Sequence, residues 1–329
     1  MCGDIAFVCC DNGLGHLKRI YLFALALADE GFVTDIFSPL HKFLKIAKLF
    51  GENSLVRNRD FATGSNRSVQ TGNFANWQAW THRIGSLEEY PIIVSDNLLE
   101  ILDVRPDAVL SANFFWNETL GFPQEDTENY RRIMTMNSTV VIGSELFSPI
   151  SIRNLPGFRG IGLLDTFSPA RIEQEKNAVL FSAGHSGLEL GFFNQRMQQL
   201  ANHPMLRRFH KISDPQLMLN GINETGKFDS LMYQRLRYAF IRPGMGTLND
   251  LLVHGVIPVC LTDGSNQELL FNARRVEELG LGLHLQSNDD IDDFMLRMES
   301  TTTSCLEKIS DINKAGISQF TSIVKSLYE

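Results

Sequence analysis

Two short stretches of the chain carry residue types that can do chemistry. The first runs Asp11-Asn12-Gly13-Leu14-Gly15-His16-Leu17-Lys18-Arg19, between an apolar run, Ile5–Cys10, and a helical one, Leu17–Asp29. Glycines at such a turn let a ligand come close to the backbone. Where a helix follows a parallel strand, its first N–H groups point outward and form a site for an anion. A histidine there can take or give a proton at neutral pH, and equally it can be a solvent-facing residue at a helix start. The residues alone leave both readings open. A dinucleotide fingerprint needs a further Gly or Ala where this chain has Lys18, and no GxxxxGK[ST] loop occurs. Gly13 and Gly15 therefore read as residues that leave room at a ligand site.

The second stretch is Tyr238–Leu261, "YAFIRPGMGTLNDLLVHGVIPVCL". A strand ends at Ile241, and Arg242-Pro243-Gly244-Met245-Gly246-Thr247 opens a helix. The turn joins backbone N–H groups, a hydroxyl and a guanidinium, which together suit a diphosphate. Asp250, a turn further on, can accept two hydrogen bonds from a ribose diol. His254-Gly255 reads as the end of that helix. A capped amphipathic helix between two strands would explain Gly255, Leu251 and Leu252, but not the Arg-Pro-Gly-x-Gly-Thr cluster with Asp250.

The elements that must position these residues alternate strand with helix, the pattern of an α/β protein with parallel sheets. Strands are expected at Ile5–Cys10, Val33–Phe37, Ile92–Val94, Ala108–Ser111, Val140–Gly143, Tyr238–Ile241 and Ile257–Leu261. Helices are expected at Leu17–Asp29, His41–Phe50 and Glu125–Met136, and Leu306–Tyr328 has helical spacing with no breaker except Gly316. Phe147–Asn177, rich in proline and glycine, reads as a linker. After it "NAVLFSAGHSG" repeats the opening grammar of strand, small-residue turn and helix. Asn58–Gln78 is polar and reads as an irregular insertion.

Bulk composition narrows the function. At 329 residues the chain exceeds the roughly 250–300 at which single cores stop growing, so two domains are expected. The formal net charge of −8 lacks the basic footprint of a nucleic-acid binder, and no nucleic-acid partner is expected. Five cysteines, Cys2, Cys9, Cys10, Cys260 and Cys305, form no CxxC pair and read as reduced thiols. No signal peptide is expected, and the longest apolar stretch, Ile20–Ala28, is too short to span a bilayer. A cytoplasmic location follows as the expectation.

Several motifs offer rival chemistry. Asp290 and Asp292 form a DxD, but at a helix start acidic residues complement the dipole and cap the first turn. Cys9 and Cys10 are adjacent on a strand and point to opposite faces, a poor metal pair. His41–Phe50 sets Lys42, Lys45 and Lys48 on one stripe and Phe43, Ile46, Ala47 and Phe50 on another. Such a helix can dock on an anionic membrane or serve as a crossover helix with a solvated lysine face. Trp77, Trp80 and His82 could stack an acceptor sugar or pack a core.

Taken together, these stretches resemble the GT-B nucleotide-sugar glycosyltransferases, in particular the UDP-sugar glycosyltransferases and the N-acetylglucosaminyltransferase that forms lipid II. The resemblance implies two facing Rossmann-like domains with an interdomain cleft. Residues 1–160 would form the acceptor domain and 161–309 the donor domain, with a C-terminal helix at about 310–329 packing back on the first. Arg242, Gly244, Met245, Gly246 and Thr247 would hold the donor diphosphate, and Asp250, where glutamate is usual, the ribose. "SAGHSG", Ser182–Gly187, matches a small-residue loop that reaches the donor, which places Gly184, His185 and Ser186 there. A [DE]Q or QQ pair normally contacts the donor sugar shortly before "NA". Here Asn266-Gln267 lies two residues further from Asn272-Ala273 than usual, and Glu268 stands at the usual spacing. "GLGHLKR" looks like the family's G-x-GH turn, so His16 is the expected catalytic base, and Asp96 of "IIVSDN" its orienting carboxylate.

The implied reaction is an inverting displacement that needs no metal and no cofactor beyond the nucleotide-sugar co-substrate, most simply a UDP-sugar. The partners are that donor and an acceptor hydroxyl. The same residues are also similar to the UDP-sugar hydrolase of the pseudaminic acid pathway, which activates water. A binding protein that keeps the nucleotide site without chemistry is a third reading.

Overall fold

The computed structural model describes residues 3–65, 77–85, 87–115, 124–165, 175–184, 190–264 and 266–328. It divides into two compact units. One runs up to Gly162 and takes in the segment from Ala315 onward; the other is Leu163–Lys314.

The first unit is built on strands β1 (Ile5–Val8), β2 (Thr34–Ser38), β3 (Val56–Asp60), β4 (Ile92–Asp96), β5 (Val109–Ser111), β6 (Val141–Ser144) and β7 (Phe158–Ile161). They form a parallel sheet in the order β3-β2-β1-β4-β5-β6-β7. β1 and β4 are buried along their whole length, as expected for strands covered on both faces by crossover helices. The order reverses beside β1, so the C-terminal ends of β1 and β4 border the topological switch point where open α/β sheets bind ligands. Helices α1 (Gly15–Asp29) and α2 (Leu40–Phe50) follow β1 and β2, and α3 (Gln124–Met136) and the short α4 (Ile150–Arg153) flank β6.

Two expectations are corrected here. Val56–Asp60 is a strand although Arg57, Asn58 and Arg59 make it polar. It lies at the sheet edge, and buried Asp35 of β2 accepts from Arg57 Nε at 2.7 Å, Arg57 Nη2 at 3.0 Å and Arg59 Nη2 at 2.9 Å. Cross-strand ion pairs thus replace the apolar alternation that normally marks a strand. The stretch expected as a linker contains α4 and β7, and glycine 157 reads as more than a spacer. A Cβ there would meet the Thr139 carbonyl oxygen at 2.0 Å.

The second unit repeats the grammar with β8 (Ala178–Ser182), β9 (His210–Ser213), β10 (Glu224–Thr225), β11 (Leu236–Ile241), β12 (Ile257–Leu261) and β13 (Leu283–Leu285), parallel in the order β10-β9-β8-β11-β12-β13. Its helices are α5 (Leu190–Asn202), α6 (Ser230–Arg235), α7 (Met245–Val253), α8 (Gln267–Glu278) and α9 (Ile291–Ser310). The stretch from Leu306 onward is not one helix. α9 ends at Ser310, and α10 (Gly316–Tyr328) starts afresh, with Gly316 as its first residue. α10 packs in the first unit: Phe320 stacks on Phe23 of α1 with centroids 3.7 Å apart, and Gln319 Oε1 accepts from Gly162 N at 2.8 Å.

Candidate functional site

In the first unit, α1 begins at Gly15, directly after the turn that leaves β1. Gly13 has a φ of +80°, and a Cβ on Gly13 or Gly15 would meet nothing within 4 Å, so the turn opens onto free space. Asp11 holds this turn against the segment after β3: its Oδ2 accepts from Gly64 N at 3.0 Å, and Ser65 Oγ donates to its other carboxylate oxygen.

His16, in the first turn of α1, and Arg19, one turn on, share a helix face. Both reach Asp96, the last residue of β4. His16 Nδ1 lies 2.8 Å from Asp96 Oδ2, and Arg19 Nη2 donates to Asp96 Oδ1 and, at 3.2 Å, to the Ser111 carbonyl at the end of β5. Asp96 is fully buried. Burial works against its ionisation, but Arg19 and His16 outweigh it and hold the carboxyl down at about 2. An ionised carboxylate only accepts, so the proton between the pair sits on His16 Nδ1 and Nε2 is the basic nitrogen. This is the geometry of a general base with its orienting carboxylate.

Arg19 is the residue that the sequence reading passed over. Its signal was present: it stands three residues after His16, the spacing that puts two side chains on one helix face. The neighbouring thiols carry no comparable chemistry. Burial pushes Cys10 up to about 12 and Cys9 well up, so both are neutral thiols. Cys9, Cys10, Cys260 and Cys305 are unbridged, and no His/Cys/Asp/Glu cluster able to hold a metal occurs among the described residues.

In the second unit the Arg242–Thr247 turn is held from two sides and by one bond of its own. Arg242 N donates to Ser182 O at 3.0 Å, tying the end of β11 to the end of β8. Gly244 N donates to Arg242 O at 2.8 Å, and buried Asn272 of α8 donates from Nδ2 to Pro243 O at 3.0 Å. Gly244 is the N-cap of α7 and offers no side-chain cap, so the first N–H groups of this helix, at Met245, Gly246 and Thr247, look to another acceptor. Burial lowers the pKa of Arg242, while the carboxylates of Glu268 and Asp263 work the other way. Asp250 is 6% exposed, with the Tyr233 hydroxyl 3.5 Å from its Oδ2.

Gly184 takes a φ of +73° and donates from its N–H to Ser182 Oγ at 3.3 Å; Ser182 in turn donates to buried Asp214 at 3.0 Å. His185 and Ser186, expected beside it, lie outside the described residues. Asn266 is the N-cap of α8: its side chain accepts from Leu269 N at 3.1 Å. Gln267 and Glu268 occupy the first turn of that helix. Glu268 is half-buried and near enough to Arg242 to act on its charge.

Two of the rival motifs resolve into structure. Asp290 caps α9, accepting from Asp293 N at 3.0 Å. Trp80 is 1% exposed and donates from Nε1 to Glu100, so it is a core residue. On α2, Phe43, Ile46 and Ala47 face inward and Lys42 donates to the Asp11 carbonyl, while Lys45 and Lys48 are exposed.

No protein-family model and no curated protein sequence matches the chain. Solved structures do match over nearly its full length. CalG4, the calicheamicin glycosyltransferase, superposes with a TM-score of 0.65 at 15% identity, covering 99% of this chain and 98% of that one. UGT89C1 of Arabidopsis thaliana gives a TM-score of 0.70 at 11% identity over 99% and 100%. LpCGTa, solved in complex with UDP, gives 0.65 at 12% over 98% of each chain. At such identities the likeness is one of fold: two Rossmann-like units, each with its own parallel sheet, in the GT-B manner.

Proposed function

We propose that this protein is a glycosyltransferase that moves a sugar from a nucleoside diphosphate donor, most simply a UDP-sugar, to an acceptor hydroxyl with inversion. The observation that carries the proposal is His16 held by ionised Asp96 at the C-terminal end of the first sheet. The GT-B fold, shared with solved glycosyltransferases and with LpCGTa, which was crystallised with UDP, supports it.

In the proposed reaction His16 Nε2 takes the proton of the acceptor hydroxyl while its oxygen attacks the anomeric carbon. The bond to the leaving diphosphate breaks, and negative charge grows on the phosphate oxygens. Arg242 and the N–H groups at Gly246 and Thr247 are fixed donors suited to that charge. Asp250 is assigned to the ribose, Gly184, His185 and Ser186 to the donor phosphates or sugar, and Asn266, Gln267 and Glu268 to the donor sugar. Gly13 and Gly15 leave room beside the base. We also propose a cytoplasmic protein that touches an anionic membrane through α2. Exposed Lys45 and Lys48 beside exposed Leu44 and Leu49 support that contact; vesicles of anionic lipid should retain the protein and lose it on Lys45→Glu/Lys48→Glu substitution.

The test is a panel of UDP-, dTDP-, GDP- and CMP-sugars, with nucleotide release followed with and without candidate hydroxyl acceptors. Acceptor-dependent release from one donor class is expected. Release at the same rate without any acceptor would mean hydrolysis, and binding without release would mean a non-catalytic protein. Either result overturns the transferase reading.

A further inference from the structure

Immediately after Asp96, the chain turns sharply. Asn97 has a φ of 60°, in the left-handed region that asparagine adopts more readily than other non-glycine residues. It is only 3% exposed, and its Oδ1 has no hydrogen-bond partner among the described residues. Buried amide oxygens are normally paired, and an orphan calls for an explanation.

The surroundings of Asn97 are well fixed. Its backbone N donates to Ser111 O at 3.2 Å, and that same carbonyl accepts from Arg19 Nη2 at 3.2 Å. Asn97 is thus bound to the cluster of His16, Arg19 and Asp96 through covalent neighbourhood on one side and a shared acceptor on the other. It stands at the C-terminal end of β4, beside the switch point, where ligands of parallel sheets gather. On the far side, Ser95 Oγ donates to Leu98 O at 2.9 Å and closes the turn without the Asn97 side chain. The carboxamide therefore has no part in building the turn that it occupies.

We propose that the Asn97 carboxamide contacts the acceptor beside its reacting hydroxyl, with Oδ1 accepting a hydrogen bond from a second donor group of the acceptor. This rests on the transferase reading above. The reacting hydroxyl gives its one proton to His16, so the partner of Oδ1 is a different group, an adjacent hydroxyl or N–H. The acceptor class that follows is one with two neighbouring donors, such as a vicinal diol.

Asn97→Gly separates this role from a purely conformational one, because glycine keeps the left-handed backbone at no steric cost and removes only the amide. With UDP-glucose or UDP-N-acetylglucosamine as donor, whichever the wild type uses, the acceptors compared are methyl glycosides with vicinal hydroxyls and their monodeoxy counterparts. The expected result is a loss of at least about 10-fold in kcat/KM for the diol acceptor, carried mainly by KM. Donor KM and melting temperature should be unchanged. With the monodeoxy acceptor, wild type and variant should turn over alike. Wild-type kcat/KM in Asn97→Gly, or an equal loss with both acceptors, overturns the inference and leaves the transferase reading standing. A wild type that releases nucleotide from no donor with any acceptor overturns both.

Discussion

Asp96 and Glu100 are two buried carboxyls on the same stretch of chain, one ending β4 and the other in the 3-10 turn Leu99–Asp103 that follows. They are in opposite states. Burial alone would push both up. Asp96 faces Arg19 and His16, whose charges and hydrogen bonds reverse the effect and hold it at about 2. Glu100 sits in an apolar cluster with Trp80, Leu99, Ile101 and Leu102. Burial pushes it up to about 8, and the hydrogen bond from Trp80 Nε1 at 2.6 Å offsets only part of the rise. The comparison sets the carboxyl of the proposed site apart from a core one by the company each keeps. One is a fixed anion that can orient an imidazole and stabilise it when protonated. The other is a neutral acid that fills a core.

The largest expected effect comes from removing the charge that distinguishes the pair. Asp96→Asn should lower acceptor-dependent nucleotide release by about 10³-fold, the range of general-base catalysis. It should also cost on the order of 2 kcal/mol in denaturant unfolding, because half-buried Arg19 loses its charged partner. Turnover within a few-fold of wild type would break the contrast. Next is Glu100→Gln. A carboxyl whose folded pKa exceeds its unfolded one contributes stability below about 4.5, and that stability is lost as pH rises towards about 8. The glutamine variant should therefore gain on the order of 4 kcal/mol over wild type at pH 8 and nothing at pH 4. An equal difference at both pH values would show that Glu100 is not neutral in the fold.

Asp96 should behave in the reverse sense. Its folded pKa lies below its unfolded one, so its contribution is present above about 4 and is lost as pH falls through about 2. Acid titration of stability should reveal about 2 kcal/mol in that window, absent from Asp96→Asn. The smallest effect concerns the rim of the Glu100 cluster. Tyr130 donates to Asp103 at 2.9 Å and accepts from Gln78 at 3.1 Å. Tyr130→Phe should cost on the order of 1 kcal/mol, with activity unchanged; a loss of activity would draw the cluster into the site.

Much of this architecture is legible in the residues, for physical reasons. The apolar runs at Ile5–Val8, Ile92–Val94 and Ile257–Leu261 read as strands because both faces are covered. His16, in the helix turn that follows β1, and Asp96, the last residue of β4, meet because β1 and β4 are neighbours. What escaped depends on partners far away in sequence. β3 hides behind Arg57 and Arg59, which only Asp35 makes sense of. Asn266 also caps α8 through Leu269 N, a role that stands beside its proposed contact with the donor sugar. The left-handed backbone of Asn97 has no signature in composition at all, since asparagine is tolerated in many conformations. Asn272 marks a family spacing, yet its work is to hold Pro243 from across the unit.

The proton transfer assigned to His16 is tested most directly by single-turnover nucleotide release from the donor sugar, with acceptor present, in wild type and His16→Ala. With saturating donor, the variant should release nucleotide about 10²–10⁴-fold more slowly while binding the donor as tightly as wild type. Release at the wild-type rate by His16→Ala would contradict the assignment.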